Sequence, residues 1–161
     1  MADPKKRRTP RRWHIENARA DDFPRLLVVW EAAVRATHHF LCDADIQYFR
    51  PLVKEAFAHV PHLACVRDDS GTAVGFVGVA GEKIEMLFVH PRWASKGIGR
   101  ALVEHAVSPW GATLVDVNEQ NEQAVGFYVR LGFVTEGRSE LDGMGLPFPL
   151  LHMRLAIVPS A

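Results

Sequence analysis

The chain has 161 residues, 48% of them hydrophobic, which suits a single compact domain of roughly 100 to 200 residues. Six of its 19 basic residues lie within the first twelve positions, opposed only by Asp3. The remainder has 13 basic and 18 acidic residues, a net charge of −5. The start lacks an apolar signal segment, and no later run is long enough to span a bilayer, so we expect a cytoplasmic protein without a membrane segment.

The stretch PKKRRTPRR is basic, interrupted by proline, and offers nothing for a core to bury. We therefore expect residues 1–12 to form a flexible basic arm and residues 13–158 to form one domain. Contact with nucleic acid is the functional alternative for the arm, because phosphates attract clustered lysine and arginine. No aromatic residue interleaves the cluster before Trp13, which disfavours nucleic acid as a partner.

The cysteines and histidines give no sign of a disulfide or a metal site. Cys42 and Cys65 stand far apart without paired spacing, so we expect both to be reduced and packed. The eight histidines include no spacing typical of a zinc site, and we predict no metal ion.

The first elements are a strand and a helix. The segment 13–19 can form an opening strand, and Asp21 or Asp22 can cap a helix with Pro24 in its first turn. Apolar residues at helical spacing mark the core face of this helix, which the segment THHFL ends: Leu26, Leu27, Trp30, Ala33 and Val34.

A second helix and a meander of strands follow. Asp43 can cap a helix that runs toward His59, in which Pro51 predicts a kink or a break. The short turns DSG and GE then separate three β-branched or apolar runs, which predicts an antiparallel meander: HLACVRD, TAVGFVGVA and KIEMLFVH.

The second half of the chain alternates strands with helices. An amphipathic helix starts at Ile98, and the strand TLVDVN follows it, an order that implies a right-handed parallel crossover. Asn121 caps the next helix, which Gly132 ends, and GFVTEGR and LLHMRLA form the last strands around the loop SELDGMGLPFP.

The stretch HPRWASKGIGRALVEHA places Gly97 and Gly99 between a strand and a helix. Such a turn leaves several N–H groups unpaired at the positive end of the helix dipole, which suits a pyrophosphate, and Lys96 and Arg100 can add charge. A dinucleotide fingerprint would need a third glycine at Leu102, and a P-loop would need Gly-Lys-Ser/Thr. A plain strand-to-helix turn is the structural alternative.

The glycine turn and the stretch NEQNEQAVGFYVRLGF together resemble the GCN5-related N-acetyltransferase (GNAT) superfamily. That superfamily has the patterns Arg/Gln-x-x-Gly-x-Gly/Ala and Asn-x-x-Ala-x-x-x-Tyr-x-x-x-Gly-Phe. The second pattern is matched throughout, by Asn121, Ala124, Tyr128, Gly132 and Phe133. In the first, Ala94 stands at the Arg or Gln position, so Arg92 or Lys96 is expected to replace that phosphate contact.

Three longer segments look like the bacterial YjaB-type acetyltransferases: VRATHHFL, VNEQNEQAVGFY and GRSELDGMGLPFPLL. The resemblance implies a mixed α/β GNAT fold. Its central sheet would be mostly antiparallel and twisted, flanked by about four helices, with one parallel strand pair splayed around acetyl-CoA. The residues implied to bind this cosubstrate are Leu87, Phe88, Val89, Ser95, Lys96, Gly97, Ile98, Gly99, Arg100, Asn118, Asn121 and Tyr128.

The implied reaction is transfer of an acetyl group to a primary amine by direct attack in a ternary complex. A lysine-type ammonium has an unperturbed pKa of about 10.4, so a base must remove a proton, and the candidates are Glu85, His38 and His39. Tyr128 is the implied acid for the departing CoA thiolate. The structural alternatives are a solvent-facing Glu85, histidines that cap a helix end, and a core aromatic at Tyr128.

The acceptor stays open between a protein lysine and a small-molecule amine, with a modest preference for lysine. Other functional classes are a regulator that binds acetyl-CoA without transfer, and an arm that binds nucleic acid or an acidic protein. Trp30, Phe40, Phe49 and the GMGLPFP loop could shape an acceptor pocket or a homodimer contact, although aromatic residues at such spacings more often belong to the core.

Overall fold

The computed structural model describes residues 13–156, so the predicted basic arm and the predicted domain end at residue 158 lie outside the described residues. Short 3₁₀ turns at Ala20–Asp22 and Pro91–Trp93 accompany the main elements. These elements are β1 (Ile15–Asn17), α1 (Phe23–Thr37), α2 (Asp43–His59), β2 (His62–Arg67), β3 (Ala73–Ala80), β4 (Lys83–Val89), α3 (Ile98–Val107), β5 (Leu114–Asn118), α4 (Glu122–Arg130), β6 (Phe133–Ser139) and β7 (Leu150–Leu155).

The strands form one seven-stranded sheet in the order β1-β2-β3-β4-β5-β7-β6. Every neighbouring pair is antiparallel except β4 and β5, which are parallel. The predicted fold class is therefore confirmed: a mixed α/β fold with a mostly antiparallel sheet, one parallel pair and four α-helices in the described chain.

Strands β4 and β5 pair only at Lys83 with Leu114 and at Ile84 with Val115, and beyond these residues they separate. The His90 N–H donates to the Val74 carbonyl at 2.8 Å, and this bond determines which residue pairs of β3 and β4 exchange backbone hydrogen bonds. In an antiparallel pair every second residue directs its backbone groups away from the partner strand.

With this pairing, Leu87 and Val89 are the residues of β4 that point their N–H and C=O groups away from β3. Their backbone groups therefore face the gap that opens toward β5. The β3–β4 register also shifts between Gly78 and Val79, which leaves Glu85 as the extra, unpaired residue of β4.

Two hydrophobic clusters cover the two faces of the sheet. One face packs against α1 and α2, and the largest of its fully buried side chains are Leu26, Val29 and Phe76. The other face packs against α3 and α4 through residues that include Ile98, Leu102, Tyr128 and Phe133. The helical faces predicted from periodicity are thus the faces that the core buries.

The helix starts differ in detail from the prediction. Asp22 stands at the cap position of α1, but its carboxylate accepts from the Arg19 N–H at 2.8 Å and from the guanidinium of Arg67, because a 3₁₀ turn precedes the helix. At α2 the cap position belongs to Cys42, and Asp43 is the first helical residue, paired with Arg35 at 2.6 Å.

Pro51 neither divides α2 nor ends it, because the helix runs unbroken from Asp43 to His59. Pro51 and Gln47, whose carbonyl would have bonded to an amide at position 51, are both exposed, so the missing hydrogen bond falls on the solvated side.

The prediction that both cysteines are packed holds for Cys65, which is buried. It is wrong for Cys42, because the start of α2 is exposed. Among residues 13–156, no helix has the length and apolar character needed to cross a bilayer.

Candidate active site

The turn between β4 and α3 presents a row of free backbone donors. Ser95 has φ 60° and Gly97 has φ 86°, both in the left-handed region, where a residue other than glycine is strained. The first hydrogen bond of α3 runs from the Ala101 N–H to the Gly97 carbonyl. The N–H groups of residues 95–100 have no acceptor among the described residues, so they form a cradle for an anion at a helix start.

Trp13 supports this turn from the start of the described chain. Its indole Nε1–H donates to the Lys96 carbonyl at 2.9 Å, and its ring meets Trp93 edge to face at 5.8 Å. No local sequence pattern links Trp13 to Lys96, since 83 residues separate them. Sequence reasoning therefore missed Trp13 as part of the site.

Gly99 has a packing role beside its predicted phosphate role. A Cβ at position 99 would lie 3.2 Å from the ring of Phe127, closer than most real Cβ contacts. The glycine thus lets α3 approach the aromatic ring that α4 presents, and Phe127 forms part of the cavity wall described next.

The first cavity, of about 340 Å³, runs from the turn along β4 to the start of α4. Eight of the predicted cosubstrate residues line it: Leu87, Phe88, Val89, Ser95, Gly97, Gly99, Arg100 and Asn121. Lys96 and Ile98 are not in its wall, and Ile98 belongs to the core. Arg92 and Lys96 were predicted to replace the phosphate contact that is missing at Ala94, but neither lines the cavity. The arginines that do line it are Arg100 and Arg130.

Asn121 combines the two roles that its position allows. Its Oδ1 accepts from the Ala124 N–H at 3.2 Å, which confirms the predicted cap of α4. The side chain is buried and lines the first cavity, and its amide NH₂ has no acceptor among the described residues. One face of Asn121 therefore holds the helix while the other offers a donor to a ligand.

The second cavity, of about 200 Å³, lies on the face of the sheet that α1 and α2 cover. Its walls are largely aromatic and aliphatic, with Asn118 and Asp142 among the polar side chains. The aromatic residues that the sequence associated with an acceptor pocket line this cavity: Trp30, Phe40, Phe49 and Phe148 of the GMGLPFP loop. Asn118, predicted to contact the cosubstrate, lies here and not in the first cavity.

His38 and Phe88 line both cavities and so mark the place where the two meet. The Thr37 hydroxyl donates to the Ala33 carbonyl at 2.7 Å and lies 2.8 Å from Nδ1 of His38. Because the hydroxyl proton is already used, Thr37 accepts from Nδ1–H, which leaves the lone pair of His38 on Nε2. Burial, together with the neighbouring His39, lowers the pKa of His38 to about 4, so the ring is neutral at physiological pH.

The other candidate acid and base residues lie further from the junction. Glu85 is exposed and lines neither cavity, and His39 is exposed beside His38. Tyr128 is 6% exposed, packs edge to face against Phe127 and Phe133, and is absent from both cavity walls. Burial raises the pKa of its phenol.

Among residues 13–156, no group of three histidine, cysteine, aspartate or glutamate side chains could hold a metal ion. The arrangement instead fits a long molecule with phosphate groups. The free N–H row and two arginines suit phosphates, and the backbone edge of β4 suits an amide chain that leads to the cavity junction. The donor set therefore matches the acetyl-CoA that the sequence resemblance implies.

Comparison with known proteins gives a consistent result. The profile of the acetyltransferase (GNAT) domain matches residues 61–135. The peptidyl-lysine N-acetyltransferase YjaB of Salmonella typhimurium is 39% identical over 140 residues, 87% of this chain and 96% of that protein. The YjaB of Escherichia coli is 39% identical over 139 residues, 86% and 94% of the two chains.

Solved structures share the fold. The solution structure of apo-form YjaB from Escherichia coli has a TM-score of 0.83 and 36% identity, covering 92% of this chain and 100% of that one. The PaiA N-acetyltransferase of Thermoplasma acidophilum, solved in complex with coenzyme A, has a TM-score of 0.70 at 19% identity, covering 91% and 100%. At that identity the second likeness concerns the fold alone.

Proposed function

The chain belongs to the GNAT family of N-acetyltransferases, and from this membership we propose that it moves the acetyl group of acetyl-CoA to the side-chain amine of protein lysines. The observation that carries the proposal is the meeting of two cavities at His38 and Phe88. One cavity has donors for phosphates, and the other is small and apolar, as an alkyl amine requires. The lysine acceptor is supported by the activity for which the curated relatives are named.

Acetyl-CoA would be held by three groups of this chain. The N–H row of residues 95–100 would bind the pyrophosphate, and Arg100 and Arg130 would add charge. The backbone of Leu87 and Val89 would pair with the pantetheine arm in the gap between β4 and β5. The bound thioester supplies an activated acetyl group, and a preorganised N–H of β4 favours the charge that develops on its carbonyl oxygen.

His38 is our preferred proton acceptor. Its Nε2 lone pair is free, because Thr37 accepts from Nδ1, and its ring stands at the junction of the cavities. The lowered pKa keeps the ring neutral and its Nε2 lone pair free, although it also makes the ring a weaker base. We therefore assign His38 the proton that the nitrogen loses, directly or through water, as it attacks the thioester and becomes more acidic. Glu85 and His39 are exposed, and we assign them no more than a relay of that proton to solvent.

Tyr128 remains our candidate acid. In the overall reaction the lysine nitrogen gains the acetyl group and loses a proton, and CoA leaves as a thiol. The tyrosine lies on α4 next to Phe127, which lines the first cavity, and its raised pKa keeps the phenol protonated until it is needed. Asn118 lies on the acceptor side, and we assign it to the amine rather than to CoA.

Direct attack needs no acyl-cysteine. Neither Cys42 nor Cys65 lines a cavity, and burial raises the pKa of the Cys65 thiol to about 11, which disfavours the nucleophilic thiolate. The double variant Cys42→Ala/Cys65→Ala should therefore keep its turnover. Loss of turnover in a folded double variant would contradict direct transfer.

The test combines binding and transfer. Acetyl-CoA at a hundredfold excess over its Kd should stabilise the folded protein by about 2.7 kcal/mol, seen as a higher Tm. Gly97→Glu should abolish this shift, because the carboxylate would occupy the phosphate cradle. Gly71→Glu is the matched control, since Gly71 has a similar φ of 84° in a hairpin turn with open space around it.

Transfer is then followed as CoA release and as mass gain on a lysine peptide. Binding without transfer to any amine would support the regulatory alternative instead. Transfer to small amines but to no peptide or protein would support a small-molecule acetyltransferase. We place the reaction in the cytoplasm, which supplies acetyl-CoA and lysine-bearing proteins together.

A further inference from the structure

Four exposed apolar side chains lie on two of the segments that line the second cavity, and we call them the apolar rim. Tyr48 and Leu52 of α2 are 52% and 37% exposed, and Leu141 and Met144 of the β6–β7 loop are 50% and 49% exposed. Large apolar side chains that cluster on a surface are typical of interaction sites. The rim is therefore a surface that a bound partner can cover.

The position of the rim follows from the elements that carry it. Phe49 and Val53 of α2 line the cavity, and Tyr48 and Leu52 occupy the adjacent stripe of the same helix, spaced by four residues. In the loop, Leu141 precedes the lining residue Asp142. The N–H of Met144 donates to Oδ1 of Asp142 at 2.9 Å. The rim thus comes from two of the segments that build the cavity wall.

The cavity between these segments selects a cation with an apolar stem. Among the described residues of its wall, Asp142 is the only carboxylate, and His38 in the same wall is neutral. Oδ1 of Asp142 is used by the N–H groups of Met144 and Leu146, whereas Oδ2 has no partner among the described residues. Phe148, which lies 5.9 Å from Phe40 and 6.3 Å from Phe49 between ring centroids, gives the chamber an aromatic wall.

The volume of about 200 Å³ suits a linear alkyl ammonium and is below the roughly 300 to 1,000 Å³ typical of sites for larger ligands. An acceptor that carries its amine on a short chain leaves the rest of its mass outside, against the rim. The carboxylate of Asp142 in the cavity wall favours an acceptor that carries a cation over an acidic one.

We propose that the apolar rim binds the polypeptide on either side of the acceptor lysine, so that the enzyme selects lysines with apolar neighbours while Asp142 receives the ammonium. This inference rests on the proposed lysine acetyltransferase function. Acetylation removes the charge that Asp142 attracts, so the same carboxylate favours release of the product.

The test uses two peptides that differ only at the residues flanking one lysine, leucine in one and aspartate in the other, and butylamine as an acceptor without flanks. The leucine peptide should have a KM roughly tenfold lower than the aspartate peptide. Leu141→Ser and Met144→Ser remove the apolar contact without adding charge, so they should remove most of this difference and leave butylamine turnover unchanged. Val134→Ser is the matched control, because Val134 is 53% exposed on β6, away from the rim.

Asp142→Asn tests the cavity itself. The amide keeps an oxygen for the two loop N–H groups, so the loop should stay folded while the KM for the peptide and for butylamine rises together.

Equal KM values for both peptides, unaffected by the rim variants, would overturn the inference and leave lysine transfer standing. Rim variants that change the oligomeric state, with no change in peptide KM, would also overturn it and assign the rim to a second copy of the chain. Turnover of butylamine with no acetylation of either peptide would instead contradict the proposed function.

Discussion

Thr37 holds the ring of His38 through a 2.8 Å hydrogen bond between its Oγ1 and Nδ1. The same hydroxyl donates to the Ala33 carbonyl one turn earlier in α1, so the last turn of the helix determines which ring nitrogen is protonated. In the mechanism that we propose, the base at the cavity junction depends on Thr37, a positioning residue whose hydroxyl touches no reacting atom.

Replacing Thr37 tests this dependence. Thr37→Val keeps the shape but removes the acceptor for Nδ1–H, and because a neutral hydrogen bond contributes about 1 kcal/mol, kcat should fall by roughly fivefold or more. Thr37 also lines the first cavity, and because valine keeps its shape there, KM for acetyl-CoA should change little. Thr37→Ser restores the hydroxyl and should restore kcat, whereas equal rates in the valine and serine variants would show that the hydrogen bond is not used.

The pKa of His38 predicts how stability changes with pH. The ring has a pKa of about 4 in the folded protein and an ordinary value of 6.5 when unfolded, so between these values the unfolded chain binds more protons. The free energy of unfolding should therefore fall as pH is lowered from 6.5 toward 4. Urea titrations at several pH values measure it. His38→Gln should flatten this dependence, and His39→Gln, on the exposed neighbour, should leave most of it.

The parts of the site that could be predicted from the sequence are those that a short segment builds by itself. The glycine turn before α3 and the Asn121 cap of α4 each lie within a few residues, so backbone geometry alone limits what they can form. Thr37 was not predicted as part of the site: its own contacts, to Ala33 and His38, are local, but only the packed fold brings the end of α1 to both cavities. The same holds for Asp142, which reaches the cavity through a loop whose path only the packed fold determines.

Tyr128→Phe separates a catalytic phenol from a core aromatic. The ring packs between Phe127 and Phe133, and phenylalanine keeps these contacts, so Tm and its upward shift with acetyl-CoA should be unchanged. If the hydroxyl protonates the leaving thiolate, kcat should fall on the order of a hundredfold, the usual contribution of general acid catalysis. Turnover at the wild-type rate in the folded variant would assign Tyr128 to the core alone.

Gly99→Ala should weaken binding of acetyl-CoA by crowding the cavity wall. The new Cβ would lie 3.2 and 3.3 Å from two atoms of the Phe127 ring, which must move by a few tenths of an ångström toward the cavity that it lines. We expect KM for acetyl-CoA to rise about fivefold, with kcat little changed. Adding Phe127→Leu makes room for the methyl group and should lower KM again, and failure of this rescue would mean that the glycine serves the phosphate cradle directly.

The carboxylate of Asp116 on β5 connects the parallel strand β4 with the last two strands of the sheet. It accepts from Lys83 at 2.8 Å and lies 2.7 Å from Nδ1 of His152, whose Nε2 lies 2.6 Å from the Ser139 hydroxyl. This chain of contacts ties β4, β5, β7 and β6 together on one face of the sheet. Partial burial alone would raise the pKa of Asp116, but the hydrogen bonds with Lys83 and His152 lower it overall.

Because the folded pKa lies below the unfolded value, Asp116 stabilises the protein at neutral pH, and this contribution is lost as pH falls through the folded pKa. Asp116→Asn should lower the free energy of unfolding by about 1 kcal/mol at pH 7, a modest value because the side chains of the cluster are partly solvated. The difference between variant and wild type should shrink in acid, as measured by urea unfolding. Glu119→Gln, in the exposed pair with Arg138, is the control and should change stability little. A variant as stable as wild type at pH 7 would mean that the packed strands hold this edge without the ionic cluster.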